Sequence, residues 1–131
     1  MAELTDTSVS ELLTKPNHAV LSTINKDGSV HSAVVWVNVE DGTVAFNGAL
    51  GRVWPANIER DTRVTLIVIN QENPYEYAEI KGRASAVEGG DGHIDRLAQK
   101  YINQEKYQWR AEGEVRQKFA VAVERVRYAK A

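Results

Sequence analysis

Two runs of this chain are apolar on both parities, and few folds can absorb such strands. Val30 to Val39 puts Val34 and Trp36 on one face and Ala33, Val35, Val37 and Val39 on the other; Val64 to Ile69 repeats the pattern. A strand apolar on both sides is buried on both sides, by a core and by something else. That second cover can be a subunit, a ligand or a helix, and the pattern leaves all three open.

The flanking segments read as further strands. His18 to Ile24 leads through the turn Asn25-Lys26-Asp27-Gly28 into the first run, and Glu40-Asp41-Gly42 turns the chain into Thr43 to Asn47. Beyond the polar loop Asn70 to Pro74, Tyr75 to Ala86 carries Tyr75, Tyr77, Glu79, Lys81 and Arg83 on one parity. Ala78, Ile80 and Ala84 take the other, and Gly82 marks a bulge or a close backbone approach. The last strand, Val115 to Val123, alternates, with Val115, Phe119, Val121 and Val123 inward and Arg116, Lys118 and Glu124 outward.

Helices are fewer. Ser8-Val9-Ser10-Glu11 reads as a capping box for a short helix burying Val9, Leu12 and Leu13, which Pro16 soon ends. Asp91 is placed to cap a second helix, whose stripe is Ile94, Leu97, Ala98 and Tyr101, with Asp95, Arg96, Gln99 and Lys100 outside it. Between strands, Gly48 to Gly51 brackets a loop carrying Arg52, and a short crossover helix is predicted to start at Pro55. The free amides at such a helix start, with Arg52 beside them, suit a phosphate. An ordinary crossover helix with a solvated arginine would give the same pattern.

Composition removes several function classes. At 131 residues the chain is predicted to be a single domain, residues 1–131, small enough that a partner subunit would help it bury surface. A net charge of −2 gives no footprint for nucleic acid or anionic membrane. The absence of cysteine removes disulfides, thiolate chemistry and thiolate metal sites. The opening residues do not read as a signal peptide and no apolar run approaches membrane-spanning length, so a cytoplasmic protein is expected.

Six strands joined mostly by hairpins, with the crossover helix and one or two others, predict a mainly β fold, a small antiparallel barrel. Such a barrel is too narrow to hold a large ligand inside, so a sizeable cofactor must lie against its outer wall. A second subunit in a symmetric dimer would then cover the two-sided strands.

Specific blocks sharpen this expectation. Gly51-Arg52 followed by Asn57-Ile58-Glu59-Arg60-Asp61-Thr62-Arg63-Val64-Thr65-Leu66 resembles the strand–helix–strand signature of the flavin-binding split barrels related to pyridoxamine phosphate oxidase. Asn73 to Arg83 and Gly89 to Tyr101 resemble the branch that uses the deazaflavin coenzyme F420. The likeness runs from about His18 to Val126. It implies a six-stranded antiparallel split barrel, a homodimer with the cofactor at the subunit interface, and two-electron redox chemistry on a small-molecule substrate, with FMN as the alternative cofactor.

Carried over residue by residue, the resemblance puts the cofactor ring along Ala33, Val34, Val35 and Trp36, through their backbone groups. Asn47 matches a position that donates to the phosphate. Asn57 and Tyr77 match further cofactor-binding positions. The family's loop lysine is absent, because Val53 and Trp54 occupy the expected pair and Arg52 is the only cation left there. Either Arg52 and the helix amides suffice, or the cofactor sits differently with Trp54 against it, or binding is weakened.

No nucleophile, paired-carboxylate or metal constellation has persuasive spacing, and hydride chemistry on a bound cofactor needs none. His18, His31 and His93 are scattered and read as structural or surface residues. Of Trp36, Trp54 and Trp109, Trp54 is the one expected at a site rather than in the core. Lys81 and Arg83 read as a solvated face that could also meet an acidic cofactor tail. A non-catalytic carrier of a flavin, haem or other planar ligand remains the alternative from a different class.

Overall fold

The computed structural model describes residues 2–131. The chain runs α1 (Thr7–Thr14), β1 (Ala19–Ile24), β2 (Val30–Val35), β3 (Val37–Glu40), β4 (Thr43–Ala49), α2 (Val53–Arg60), β5 (Arg63–Ile69), β6 (Tyr77–Val87), α3 (Gly90–Ile102) and β7 (Arg116–Ala129). All pairings are antiparallel, in the order β2-β1-β5-β6-β7-β4-β3.

That order accounts for seven strands where six were expected. The run Val30 to Val39 is not continuous: it breaks at Trp36, and its halves lie on opposite edges of the sheet. Val35 and Val37 are two Cα steps apart, about 7 Å at most. The edges must therefore curl round until they nearly meet at Trp36, which makes the sheet a barrel with its seam at that residue.

Edge strands leave backbone groups unpaired, and α3 supplies partners at this seam. The Val37 N–H donates to the Tyr101 hydroxyl at 3.1 Å, and that hydroxyl donates to the Asn17 carbonyl at 2.6 Å. Lys100 Nζ donates to the Val37 carbonyl at 2.6 Å and to the Leu13 carbonyl. Lys100 was expected on the solvated face of its helix. Instead burial lowers its pKa to about 8, and burial raises that of Tyr101 to about 12.

Inside the barrel, Leu21, Val37, Val44, Phe46, Leu66, Val68 and Ile80 are fully buried, closed at one end by Val9, Leu12 and Leu13 of α1. The two-sided strands differ in their outer cover. On β5, Ile67 and Ile69 are half-buried, whereas on β2 Val30 is 64% and Val34 68% exposed. Among the described residues no element covers Val34.

Helix starts shift from their predicted places. α1 begins at Thr7 behind Asp6, whose carboxylate accepts from the Glu3 N–H instead of closing a capping box. α2 begins at Val53, two residues before Pro55; proline is tolerated there because the first turn needs no amide from it. α3 begins at Gly90 behind Gly89, whose φ of 94° favours glycine, and Asp91 lies in the first turn, where the helix dipole favours a carboxylate.

Gly82 has both expected features: the β6–β7 register shifts between Lys81 and Gly82, and a Cβ there would collide with the Ala122 carbonyl oxygen. Because a backbone atom blocks the way, Gly82→Ala is expected to cost roughly 1–3 kcal/mol, the scale of overpacking. Urea denaturation measures this, and a loss below 0.5 kcal/mol (about the noise of a surface change) would show that the bulge relaxes freely.

Candidate functional site

Beside the seam lies a pocket of about 140 Å³ lined by residues from β2, β4, α2, α3, the connector after it and β7. Six of the sequence-nominated positions meet there: Val34, Val35, Trp36, Asn47, Arg52 and Trp54. Ala33 packs against the core beside them. Asn57 is buried at a different place, donating to Thr23 Oγ1 (3.1 Å) and Asn25 Oδ1 (2.9 Å) and accepting from Arg60 (2.8 Å), so it fastens α2 to the first hairpin. Tyr77 opens β6, paired with Ile69 and Ala129, outside the pocket lining.

The walls are aromatic. Trp36 stacks on Tyr101 at 5.3 Å and 6°, and meets Tyr107 edge-on at 6.1 Å and Trp109 at 6.1 Å. Trp109 is 64% exposed and stands at the mouth. Trp54 touches the pocket but is itself buried, packed on Phe46 and Phe119 at 5.4 Å each. Gly48 makes that possible, because a Cβ on it would occupy the space of the Trp54 ring. Trp54 thus lines the pocket, as expected of it, but as part of the core, whereas Trp109, expected in the core, joins Trp36 as a more open wall.

The floor is polar, and most of it was not read from the sequence. Arg116 was expected to face solvent, yet its side chain is 4% exposed. Its Nε donates to Asn47 Oδ1 at 3.0 Å, its Nη1 to Glu114 Oε2 at 3.2 Å, and its guanidinium lies 4.9 Å from the Tyr107 ring centroid. Asn47 Nδ2 donates to the Gly90 carbonyl at 2.9 Å and meets His93 Nδ1 at 3.1 Å. His93 Nε2 meets Asn38 Oδ1 at 2.8 Å, and Asn38 donates to Glu40 at 2.8 Å. Glu40 takes a two-pronged pair from Arg96 (2.6 and 2.8 Å) and a bond from Lys118 at 2.7 Å. Lys118 is therefore also buried where solvent was expected.

This chain of groups fixes protonation states. Burial pulls the His93 pKa down to about 4, so its imidazole is neutral at pH 7, with the Nε2 proton given to Asn38 and Nδ1 accepting from Asn47. The Arg96 guanidinium, then Lys118 and Asn38, hold Glu40 well below the usual carboxylate range against its partial burial. His93 thus has a structural role, as expected.

At the rim, Arg52 is the residue preceding α2, its side chain 58% exposed and 3.8 Å from Glu114. The first turn of α2 has no side-chain cap, and Pro55 in it brings no N–H, so Val53 and Trp54 supply the amides. Among the described residues no cluster of His, Asp and Glu could hold a metal ion, and no helix is long and apolar enough to cross a membrane.

A curled antiparallel sheet whose edges meet at a seam, with an aromatic, arginine-floored pocket beside it, has the architecture of a split barrel. The family model for pyridoxamine 5'-phosphate oxidase matches residues 5–130, and the chain belongs to that family, whose fold binds flavin-type cofactors and which includes oxidoreductases. Among solved structures, an F420 reductase is 23% identical with a TM-score of 0.78, over 90% of this chain and 94% of that one. A conserved hypothetical protein from Mycobacterium tuberculosis is 19% identical, TM-score 0.75, over 99% and 85%. General Stress Protein 26 from Bacillus anthracis is 18% identical, TM-score 0.72, over 97% and 95%. No curated protein matches in sequence.

Proposed function

We propose that this chain is an F420-dependent reductase that passes a hydride to a conjugated organic acceptor. The observation that carries this reading is the pocket itself, aromatic on its walls and cationic on its floor, in which six of the positions nominated from the sequence come together. The similarity to an F420 reductase supports it. When bound, the cofactor supplies a hydride from its ring carbon; the acceptor takes this with a proton from solvent and is reduced by two electrons. The chain's own residues would bind, orient and exclude water: Trp36, Tyr107 and Trp109 would flank the ring system, Asn47 holds the floor in place, and the arginines of the pocket with the α2 amides would meet the charged end.

A pocket of about 140 Å³ is below the roughly 300–1,000 Å³ usual for ligand sites. A bound cofactor would therefore have to extend beyond it, towards the exposed Val34. A second copy of the chain laid over Val30 and Val34 would enclose it, making the working unit a homodimer. Sedimentation velocity tests this, and a species of single-chain mass at micromolar concentration counts against it.

Titration of the purified protein with F420, followed by cofactor fluorescence, tests the main reading. Saturation at micromolar cofactor is expected, and its absence removes the claim. The oxidase family match favours FMN as the second reading; protein that purifies yellow with FMN bound would replace F420. Arg52→Ala is expected to weaken cofactor binding by roughly 1.5 kcal/mol, the lower end for a charged hydrogen bond, because the side chain stays in solvent. Equal affinities for wild type and variant would place the phosphate elsewhere.

A further inference from the structure

We infer that Arg116 is the residue that holds the anionic group of the ligand, taking the place of the lysine that the α2 loop lacks. This rests on the reading of the pocket as a site for a phosphate-bearing cofactor. Two of the guanidinium's three nitrogens are committed, Nε to Asn47 and Nη1 to Glu114. Nη2 makes no hydrogen bond to any described residue, although no buried side-chain nitrogen or oxygen among those residues lacks a partner. Nη2 therefore keeps some accessible surface, and the open space that Arg116 lines is this pocket. Water can meet that donor, and an anion that displaces the water gains a charge-assisted hydrogen bond from a guanidinium already held in place.

Charge balance points the same way. Arg52 and Arg116 share one carboxylate, Glu114, at 3.8 and 3.2 Å, which leaves one positive charge in excess at this wall. A phosphate monoester or a phosphodiester supplies the missing negative charge. Geometry favours Arg116 over Arg52 as the principal holder. Arg116 is pinned by Asn47, Glu114 and the Tyr107 ring, so docking an anion on it immobilises little that is not already fixed. Arg52 swings in solvent and must be ordered first.

Two measurements test this. In the first, the Nε–H resonance of Arg116 is followed by NMR in the wild-type protein as inorganic phosphate, FMN or F420 is added. A saturable shift is expected, with the half-saturation given by tryptophan fluorescence, since Trp36, Trp54 and Trp109 line the same pocket. In the second, FMN is compared with riboflavin, and F420 with its phosphate-free deazaflavin, in wild type and Arg116→Lys. The wild type is expected to prefer each phosphorylated form at least tenfold, and the variant to lose at least fivefold of that preference; a merely structural arginine would leave the ratio unmoved. The monoester and diester arms show which phosphate the site takes.

If cofactor saturates while the Arg116 resonance stays still, or the ratio survives in Arg116→Lys, the inference is overturned and the cofactor reading stands. If neither cofactor binds but inorganic phosphate shifts the resonance, the cofactor reading falls and the inference stands. If phosphate also leaves the resonance unmoved, the inference falls with it. Should Arg116→Lys fail to fold, the wild-type resonance decides.

Discussion

Arg116→Leu is expected to destabilise the fold by about 3–5 kcal/mol, the cost of breaking a buried ion pair from one side. The loss is not mainly that of the arginine's own contacts. The Glu114 side chain, 9% exposed, would keep its charge with only the loosely placed Arg52 nearby, and Asn47 Oδ1 would lose its donor. Orphaned acceptors bear their full desolvation cost. The double variant Arg116→Leu with Glu114→Leu removes charge from both sides, and such paired replacements are often close to neutral. It is expected to recover more than half of the single variant's loss, the remainder belonging to Asn47. Guanidinium denaturation of the three proteins measures this. A single-variant loss below about 1 kcal/mol, the scale of an exposed pair, would show that solvent already screens the floor. The conservative Arg116→Lys keeps the charge opposite Glu114 and is expected to remain folded.

The arginine's burial also marks where sequence reasoning stops. β5 was legible because its buried residues Val64, Leu66 and Val68 and its outer Ile67 and Ile69 are local facts of a β-branched run. The break at Trp36 was not legible. No glycine or proline announces it, and what changes there is the strand's neighbour, β1 on one side and β4 on the other. Alternation of Arg116 and Lys118 with apolar residues reads as a solvated face, and only α3 docking over that face buries them. That docking needs Gly90, where a Cβ would strike the Arg116 carbonyl oxygen; the Gly89-Gly90 pair was the one available signal. The partners of Arg116 and Lys118 include Asn47 and Glu40, 69 and 78 positions away in sequence, and periodicity carries nothing over such separations. Asn47 and the pocket strand were reachable through family resemblance, because motif blocks preserve the places where a ligand meets the backbone. The same resemblance also nominated Asn57, and made Asn47 a side-chain donor to the phosphate, yet the hydrogen bonds of both side chains are spent within the fold.

Acidification is expected to unfold the protein from the pocket floor outward. In the folded chain the His93 pKa lies at about 4 and in the unfolded chain near the ordinary 6.5. Between those values the unfolded chain binds a proton that the native one refuses. Stability therefore rises with pH across this window and is lost as pH falls from 6.5 towards 4. At 1.36 kcal/mol per pH unit the loss from His93 approaches about 3 kcal/mol, with no discount for solvent because the side chain is fully buried. Below pH 4.5 Glu40 adds to it: its folded pKa is depressed, so its contribution is present above the ordinary carboxylate value and is lost as the solution becomes more acidic. The hydrogen bonds explain why the native state refuses the proton. A proton on His93 Nδ1 would face the Asn47 NH₂ group, donor against donor. Turning the Asn47 amide to present its oxygen would aim its NH₂ group at Arg116 Nε instead. Protonation thus propagates from α3 to the arginine. Urea denaturation at pH 7, 5.5 and 4.5 measures the slope, and His93→Gln, which has no proton to gain, is expected to flatten it between 6.5 and 4.5. A variant with the wild-type slope, or an NMR titration placing the His93 pKa near 6.5, would break the link between this histidine and the floor of the pocket.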